Sequence, residues 1–246
     1  MNNDNLLSFD NVSFSYEKEE QIINQVSFSI DRGEFVSILG PSGSGKSTIF
    51  RLITGLERAS AGTISAPSDA GFMPQQDLLL DWRTIIENVI LPLEIKGYSK
   101  QKARLKAAPY FHEFGLVGTE HKYPNELSGG MRQRASFLRA TLSSGDLLLL
   151  DEPFSALDAM TRLSMQEWLL QQWEHYKKTI LFITHDVDEA LFLSDRIFLF
   201  TEKPLSTFTE IQIPLDRPRT LENMLDVQMV ELKSSLIAQL RQQVKL

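Results

Sequence analysis

Alternation of period two governs the opening of the chain. In "LLSFDNVSFSY", residues 6 to 16, Val12, Phe14 and Tyr16 fall on one face and Ser13 and Ser15 on the other. "INQVSFSIDRG" repeats the pattern with Val26, Phe28 and Ile30, and Asp31-Arg32-Gly33 reads as a turn. Two such runs predict an antiparallel unit with one face in water. The pattern then changes. "EFVSILG", "DLLLL" and "TILFIT" are continuous apolar runs of strand length, as expected of parallel strands buried on both faces. "DRIFLFT" reads as a further strand. Residues 84 to 125 lack alternation and read as helical, with Ser99 as a cap and Gly115 as a stop. Pro109 lies inside that pattern and predicts a kink or a restart. The tail, roughly 219 to 246, carries Leu221, Met224, Leu225, Leu232, Leu236, Ile237 and Leu240 at near-helical spacing. It reads as one or two amphipathic helices packed on the core, with a partner-binding face as the alternative.

Apolar strands separated by helical segments predict βα units and an α/β fold with a parallel sheet. The 246 residues suit one large domain, or a core with a smaller subdomain. There is no cysteine, which excludes disulfides and thiolate metal sites. A net charge of -7 argues against nucleic acid as a partner. The N-terminal "MNNDNLLSFD" is not a secretory signal, and no apolar run approaches the ~20 residues that span a bilayer. Any service to a membrane therefore passes through another chain.

Chemistry enters with "GPSGSGKST": Gly40, Pro41, Ser42, Gly43, Ser44, Gly45, Lys46, Ser47 and Thr48. It matches G-x-x-x-x-G-K-[ST] in full, between a predicted strand and a predicted helix. Glycines let backbone N–H groups close around phosphate oxygens, and the helix start adds partial positive charge. Lys46 is placed to reach β- and γ-phosphates and Ser47 to ligate Mg²⁺. "LLLLDEP" delivers Asp151 at a strand end, where ligands gather in open α/β sheets. Asp151 suits Mg²⁺, and Glu152 suits polarising an attacking water. His185 follows "TILFIT", a position suited to a bond with the γ-phosphate or with Glu152, with Asp186 to orient it. His112, His121 and His175 have no ligand spacing. Gln75, in "GFMPQQDLLLDW", reads on its own as a polar loop residue. Tyr16 is either a half-buried strand aromatic or a base-stacking ring. A second glycine-rich stretch, "NELSGGMRQR", holds Ser128, a good helix cap, and Gly129 and Gly130. With its following arginines it looks built to approach something anionic.

Tyr16, "GPSGSGKST", Gln75, "LSGGMRQR", "LLLLDEP", "SALD" and "THD" stand in the order seen in ABC transporter ATP-binding subunits, over residues 6 to about 200. The resemblance implies a P-loop NTPase core with an N-terminal antiparallel subdomain and an inserted helical subdomain at about 84–140. The whole chain, 1–246, would be one ABC ATPase domain with an extension at about 205–246. It implies ATP and Mg²⁺ as ligands, with Ser47, Gln75 and Asp151 at the metal. Tyr16 resembles the adenine-stacking aromatic, Gln75 the loop glutamine that couples to the membrane subunit, and Glu152 the catalytic carboxylate. Asp158 resembles the dimer-interface aspartate and His185 the switch histidine. Ser128, Gly129 and Gly130 would close over ATP held by a second copy, head to tail.

"GFMPQQDLLLDW", "LSGGMRQR" and "EPFSALDAMTR" resemble the importer branch that handles nitrate, sulfonates, taurine and thiamine precursors. The implied partners are permease subunits and, indirectly, a solute-binding protein, at the cytoplasmic face of the membrane. Three departures stand out: Asp81 and Gly145 where proline is usual, and Met131 in place of the glutamine of the broader signature. Trp82 would pack against the permease or anchor its own loop. An exporter subunit, a non-transport ABC ATPase and a P-loop kinase are the rival readings; the absence of a fused membrane segment and of a heptad insertion, and the presence of "LSGG", speak against them.

Overall fold

A computed structural model describes residues 5–16 and 20–243. In chain order the elements are β1 (Asn5–Ser15), β2 (Gln21–Asp31), β3 (Phe35–Leu39), α1 (Lys46–Ile53), β4 (Ala61–Ser65), β5 (Gly71–Met73), α2 (Ile85–Val89), α3 (Leu91–Ile95) and α4 (Lys100–Glu113). Then come α5 (Gly129–Ser143), β6 (Leu147–Asp151), α6 (Ala159–Tyr176), β7 (Thr179–Thr184), α7 (Val187–Leu193), β8 (Arg196–Leu199), β9 (Thr209–Gln212) and α8 (Val227–Gln243). The fold class is the α/β class that the apolar runs predict. The chain divides into two compact units, residues 1–68 with 166–246, and residues 69–165.

In the first unit, β1 lies between β2 and β4, all antiparallel. The alternation of β1 is interrupted. Asn11 and Gln25 have φ of 48° and 52°, and register shifts separate Phe9 from Val12. Such bulges bend and twist a strand pair. β4 is largely exposed, which is why no apolar pattern marks it. β3 runs parallel to β7 on one side and β8 on the other, and all of β3 and β7 is buried. β9 closes the edge antiparallel to β8. Along α8, Met229 and Leu236 are buried against Leu39, Ala190, Leu191 and Leu199. Leu221 and Leu225 are exposed, so part of the apolar pattern of the tail faces water. Residues 244–246 of that predicted tail lie outside the described residues.

In the second unit, β5 and β6 pair in parallel, with Met73 opposite Leu150. The stretch at 84–125 is helical, as α2, α3, α4 and a short 3-10 turn at Pro124–Glu126. Ser99 caps α4, accepting from the Lys102 N–H at 3.4 Å. α4 continues through Pro109 without restarting. Proline leaves the carbonyl four residues earlier without its helical donor. That carbonyl belongs to Leu105, which is 70% exposed, so water can serve it. No helix among the described residues is long and apolar enough to cross a membrane.

Candidate functional site

The glycine-rich loop of the first unit begins where β3 ends. Gly40 leaves no room for a side chain, since a Cβ there would stand 2.7 Å from the Phe200 carbonyl oxygen. Gly43 and Gly45 have φ of 69° and 100°, conformations that glycine adopts cheaply. A Cβ on Gly45 would also meet Ile22 Cγ2 at 2.5 Å. Lys46 is only 4% exposed, and its Nζ donates to Gly40 O at 3.0 Å and Pro41 O at 2.7 Å. The ammonium is thus held across the mouth of its own loop. Ser44 Oγ is buried and has no hydrogen-bond partner among the described residues, so it is a donor that a phosphate oxygen would satisfy. Ser47 is exposed, whereas Thr48, the next residue of α1, is buried. Thr48 N–H turns back to the Gly45 carbonyl at 3.0 Å, and the helix start as a whole carries the partial positive charge that favours an anion.

Two other predicted residues join this loop. Tyr16 lies just beyond β1, half exposed, with its hydroxyl 3.3 Å from Thr48 Oγ1. Its ring stands edge-on to Phe14, so an aromatic body borders the loop with a face in solvent. Leu39 pairs with Thr184 in the parallel register, so Gly40 and His185 leave neighbouring strands at one edge. His185 is exposed.

The second unit gathers the carboxylates. The pairing of β5 with β6 brings the segment after Met73 beside Asp151. Asp151 is 7% exposed at the strand end. Glu152 follows with φ 44°, a left-handed conformation that costs a non-glycine residue about 1 kcal/mol or more. That turn aims its carboxylate at Gln75, whose Nε2 donates to Glu152 Oε2 at 3.2 Å. Ser155 donates to the Glu152 carbonyl at 3.0 Å and fixes the turn. A groove of about 570 Å³ runs beside these groups, lined by Gln75, Asp77, Leu78, Arg132 and Leu157 among others. Asp81 lines the same groove, and its neighbour Trp82 is 75% exposed, so the indole does not anchor its loop by burial.

The arginines of "MRQR" do not face an open anion site. Arg132 Nε donates to Asp77 Oδ2 at 3.1 Å, and Arg134 Nε donates to Met165 Sδ at 3.2 Å. Arg139, two turns beyond Arg132 along α5, donates to the carbonyls of Asp77 and Leu78 at 2.6 and 2.8 Å. Ser136 adds a bond to the Asp77 carbonyl at 3.0 Å. α5 therefore grips the loop that follows Gln75. Sequence reading missed this grip because nothing local pairs residue 77 with residues 132 to 139.

At the start of α5, Ser128 is the cap and accepts from the Met131 N–H at 3.4 Å. Gly129 and Gly130 are already helical. A Cβ on Gly130 would stand 2.9 Å from Thr161 Cγ2, but one on Gly129 would find only Leu157 Cδ2, at 3.6 Å. Asp158 accepts from the Thr161 N–H at 3.1 Å and from its hydroxyl at 2.6 Å. The Thr161 hydroxyl, with the backbone N–H beside it, holds the Asp158 carboxyl below its usual pKa. Gly145 has a local reason. A Cβ there would lie 2.6 Å from Asp69 Oδ2, and its N–H donates to the Asp69 carbonyl at 3.0 Å. Proline would forfeit that bond. Among the described residues, no group of three or more His, Asp or Glu forms a metal cluster of its own.

Residues 23–155 match the family described as ABC transporter. The chain is 58% identical over 219 residues to the formylaminopyrimidine import ATP-binding protein of Halalkalibacterium halodurans, covering 88% of each chain. It is 41% identical over 222 residues to an aliphatic sulfonates import ATP-binding protein of Rhodococcus jostii, covering 87% of each. Among solved structures it resembles a dimeric bacterial ABC transporter cassette, with TM-score 0.73 and 30% identity over 85% of this chain and 100% of that one. The same cassette in a post-hydrolysis state with ADP and Pi gives a TM-score of 0.71, again with 30% identity, 85% of this chain and 100% of that one.

Proposed function

This chain belongs to the ABC transporter family, as an ATP-binding, ATP-hydrolysing subunit of the import kind, and on that premise we propose that it drives uptake of a formylaminopyrimidine-type solute through separate membrane subunits. The order of solutes follows identity: the relative named for formylaminopyrimidine import stands at 58%, and the one named for aliphatic sulfonates at 41%. Sulfonates, nitrate and taurine are the second reading.

In this proposal Lys46 and the N–H groups at the start of α1 hold the phosphates of ATP, and Tyr16 stacks on the base. Ser47, Asp151 and Gln75 offer the hydroxyl, carboxylate and amide oxygens that Mg²⁺ takes. Bound there, Mg²⁺ would neutralise charge on the phosphates. Glu152 orients and polarises the attacking water, and His185 hydrogen-bonds the phosphate being transferred. The observation that carries the hydrolytic reading is the Gln75–Glu152 contact of 3.2 Å on a left-handed turn, a strained geometry that aims one carboxylate. Ser128, Gly129, Gly130 and Asp158 act on ATP bound by a second copy. The helical segment at 84–140 and the Gln75 loop, gripped by Arg132 and Arg139, pass the motion to permease subunits at the cytoplasmic face of the membrane. Asp81 and Trp82 offer exposed surface to them. A solute-binding protein delivers the solute, and the segment from about 205 completes the single domain.

The test is reconstitution with the permease in vesicles. Glu152→Gln is expected to lower ATP turnover by roughly 10²–10⁴-fold while ATP binding persists. Uptake of a formylaminopyrimidine should stop with it. Uptake of sulfonate alone would replace the solute reading, and turnover unchanged in the variant would remove Glu152 from the chemistry.

A further inference from the structure

Glu189 is a buried carboxylate that none of these roles uses. It lies in the first turn of α7 and is 5% exposed. Burying a carboxylate is costly unless hydrogen bonds hold it. Here Thr184 Oγ1 donates to Oε2 at 2.6 Å, and Gln166 Nε2, on α6, donates to Oε1 at 3.3 Å.

Thr184 is the last residue of β7 and immediately precedes His185. With its proton given to Glu189, its hydroxyl oxygen accepts from the Asp186 N–H at 3.0 Å. One hydroxyl thus ties together the residues on both sides of His185. Asp186 then turns back on α7: its Oδ1 accepts from the N–H groups of Asp188 and Glu189 at 2.8 and 3.3 Å. The bonds form a closed circuit, from the Glu189 side chain through Thr184 and Asp186 to the Glu189 backbone. His185 sits on that circuit with its own side chain exposed.

We propose that Glu189 is a positioning residue for His185. It sets the direction of the Thr184 hydroxyl and, through it, the turn that presents the imidazole. The inference rests on the part assigned to His185 in hydrolysis. A carboxylate suits the task because it can only accept, so the hydroxyl has to donate to it. Without that acceptor the hydroxyl is free to rotate, and the Asp186 N–H loses a fixed partner. Displacing a reacting group by about 1 Å can cost on the order of a hundredfold in rate.

The experiment measures kcat and ATP Kd in the full chain for Glu189→Leu, Thr184→Val and Thr184→Ser, each with and without His185→Ala. Glu189→Leu and Thr184→Val are expected to lower kcat by about ten- to a hundredfold while Kd stays within about twofold. Thr184→Ser keeps the hydroxyl and should turn over like the parent. In the His185→Ala background, Glu189→Leu should cost nothing more, because the two residues act as one unit. An equal loss in both backgrounds, or a folded Glu189→Leu with unchanged kcat, overturns the inference and leaves His185 in place. If His185→Ala itself turns over normally, the role of His185 falls and this inference falls with it. Should Glu189→Leu fail to fold, the contrast between Thr184→Val and Thr184→Ser decides alone.

Discussion

The molecule has two glycine-rich stretches, and they use glycine differently. In "GPSGSGKST" the backbone itself demands it: Gly45 is left-handed at φ 100° and pressed against Ile22, and Gly40 meets the Phe200 carbonyl. In "LSGGMRQR" both glycines are right-handed and helical, and a methyl at Gly129 would meet nothing closer than 3.6 Å. A helical glycine is about 0.5–1 kcal/mol worse than alanine. The fold of the chain gives no reason for Gly129. A demand from outside the chain does, and the proposed phosphate of a second copy is such a demand. The first loop is thus shaped by its own fold throughout, whereas in the second Gly130 is crowded by Thr161 and Gly129 alone has no internal reason.

Substitutions at the two loops should separate these cases. Gly45→Ala combines left-handed strain with a steric clash. It should cost roughly 3 kcal/mol, on the order of 10 °C in Tm, and ATP affinity should fall with it. Thermal melts and nucleotide titrations check this, and a stable variant that binds ATP normally would dissolve the contrast. Gly129→Ala should behave in the opposite way. Its Tm should hold or rise by ~1–2 °C and ATP binding should persist, while turnover drops by about tenfold or more. A fall in Tm would mean that the fold needs this glycine after all. Ser128→Ala should cost little stability, near 0.5 kcal/mol, because the cap bond it removes is a long 3.4 Å. Chemical denaturation reads that difference.

The sequence shows some of this plainly and hides the rest for physical reasons. β3, β6 and β7 are legible because strands buried on both faces have to be apolar throughout. The phosphate loop is legible because its glycines and lysine sit at fixed spacing. β4 is not, since four of its five positions are exposed and carry no apolar signal. The bulges at Asn11 and Gln25 escape because ordinary polar residues adopt them under tertiary constraint. The grip of Arg132 and Arg139 on the loop after Gln75 is a long-range contact, so "MRQR" reads as an anion site when its arginines serve the protein's own loop and a methionine. Glu189 escapes for the same reason. In the sequence it is one acid in "DVDEA", and only burial distinguishes it from Asp188.

The second loop is proposed to complete an ATP site in another copy. Size-exclusion chromatography with ATP tests it most directly, on Glu152→Gln and on Glu152→Gln/Ser128→Arg. Glu152→Gln should run as a dimer and the double variant as a monomer, with the same ATP Kd in both. A double variant that still dimerises, or one that loses ATP binding together with the dimer, would contradict it.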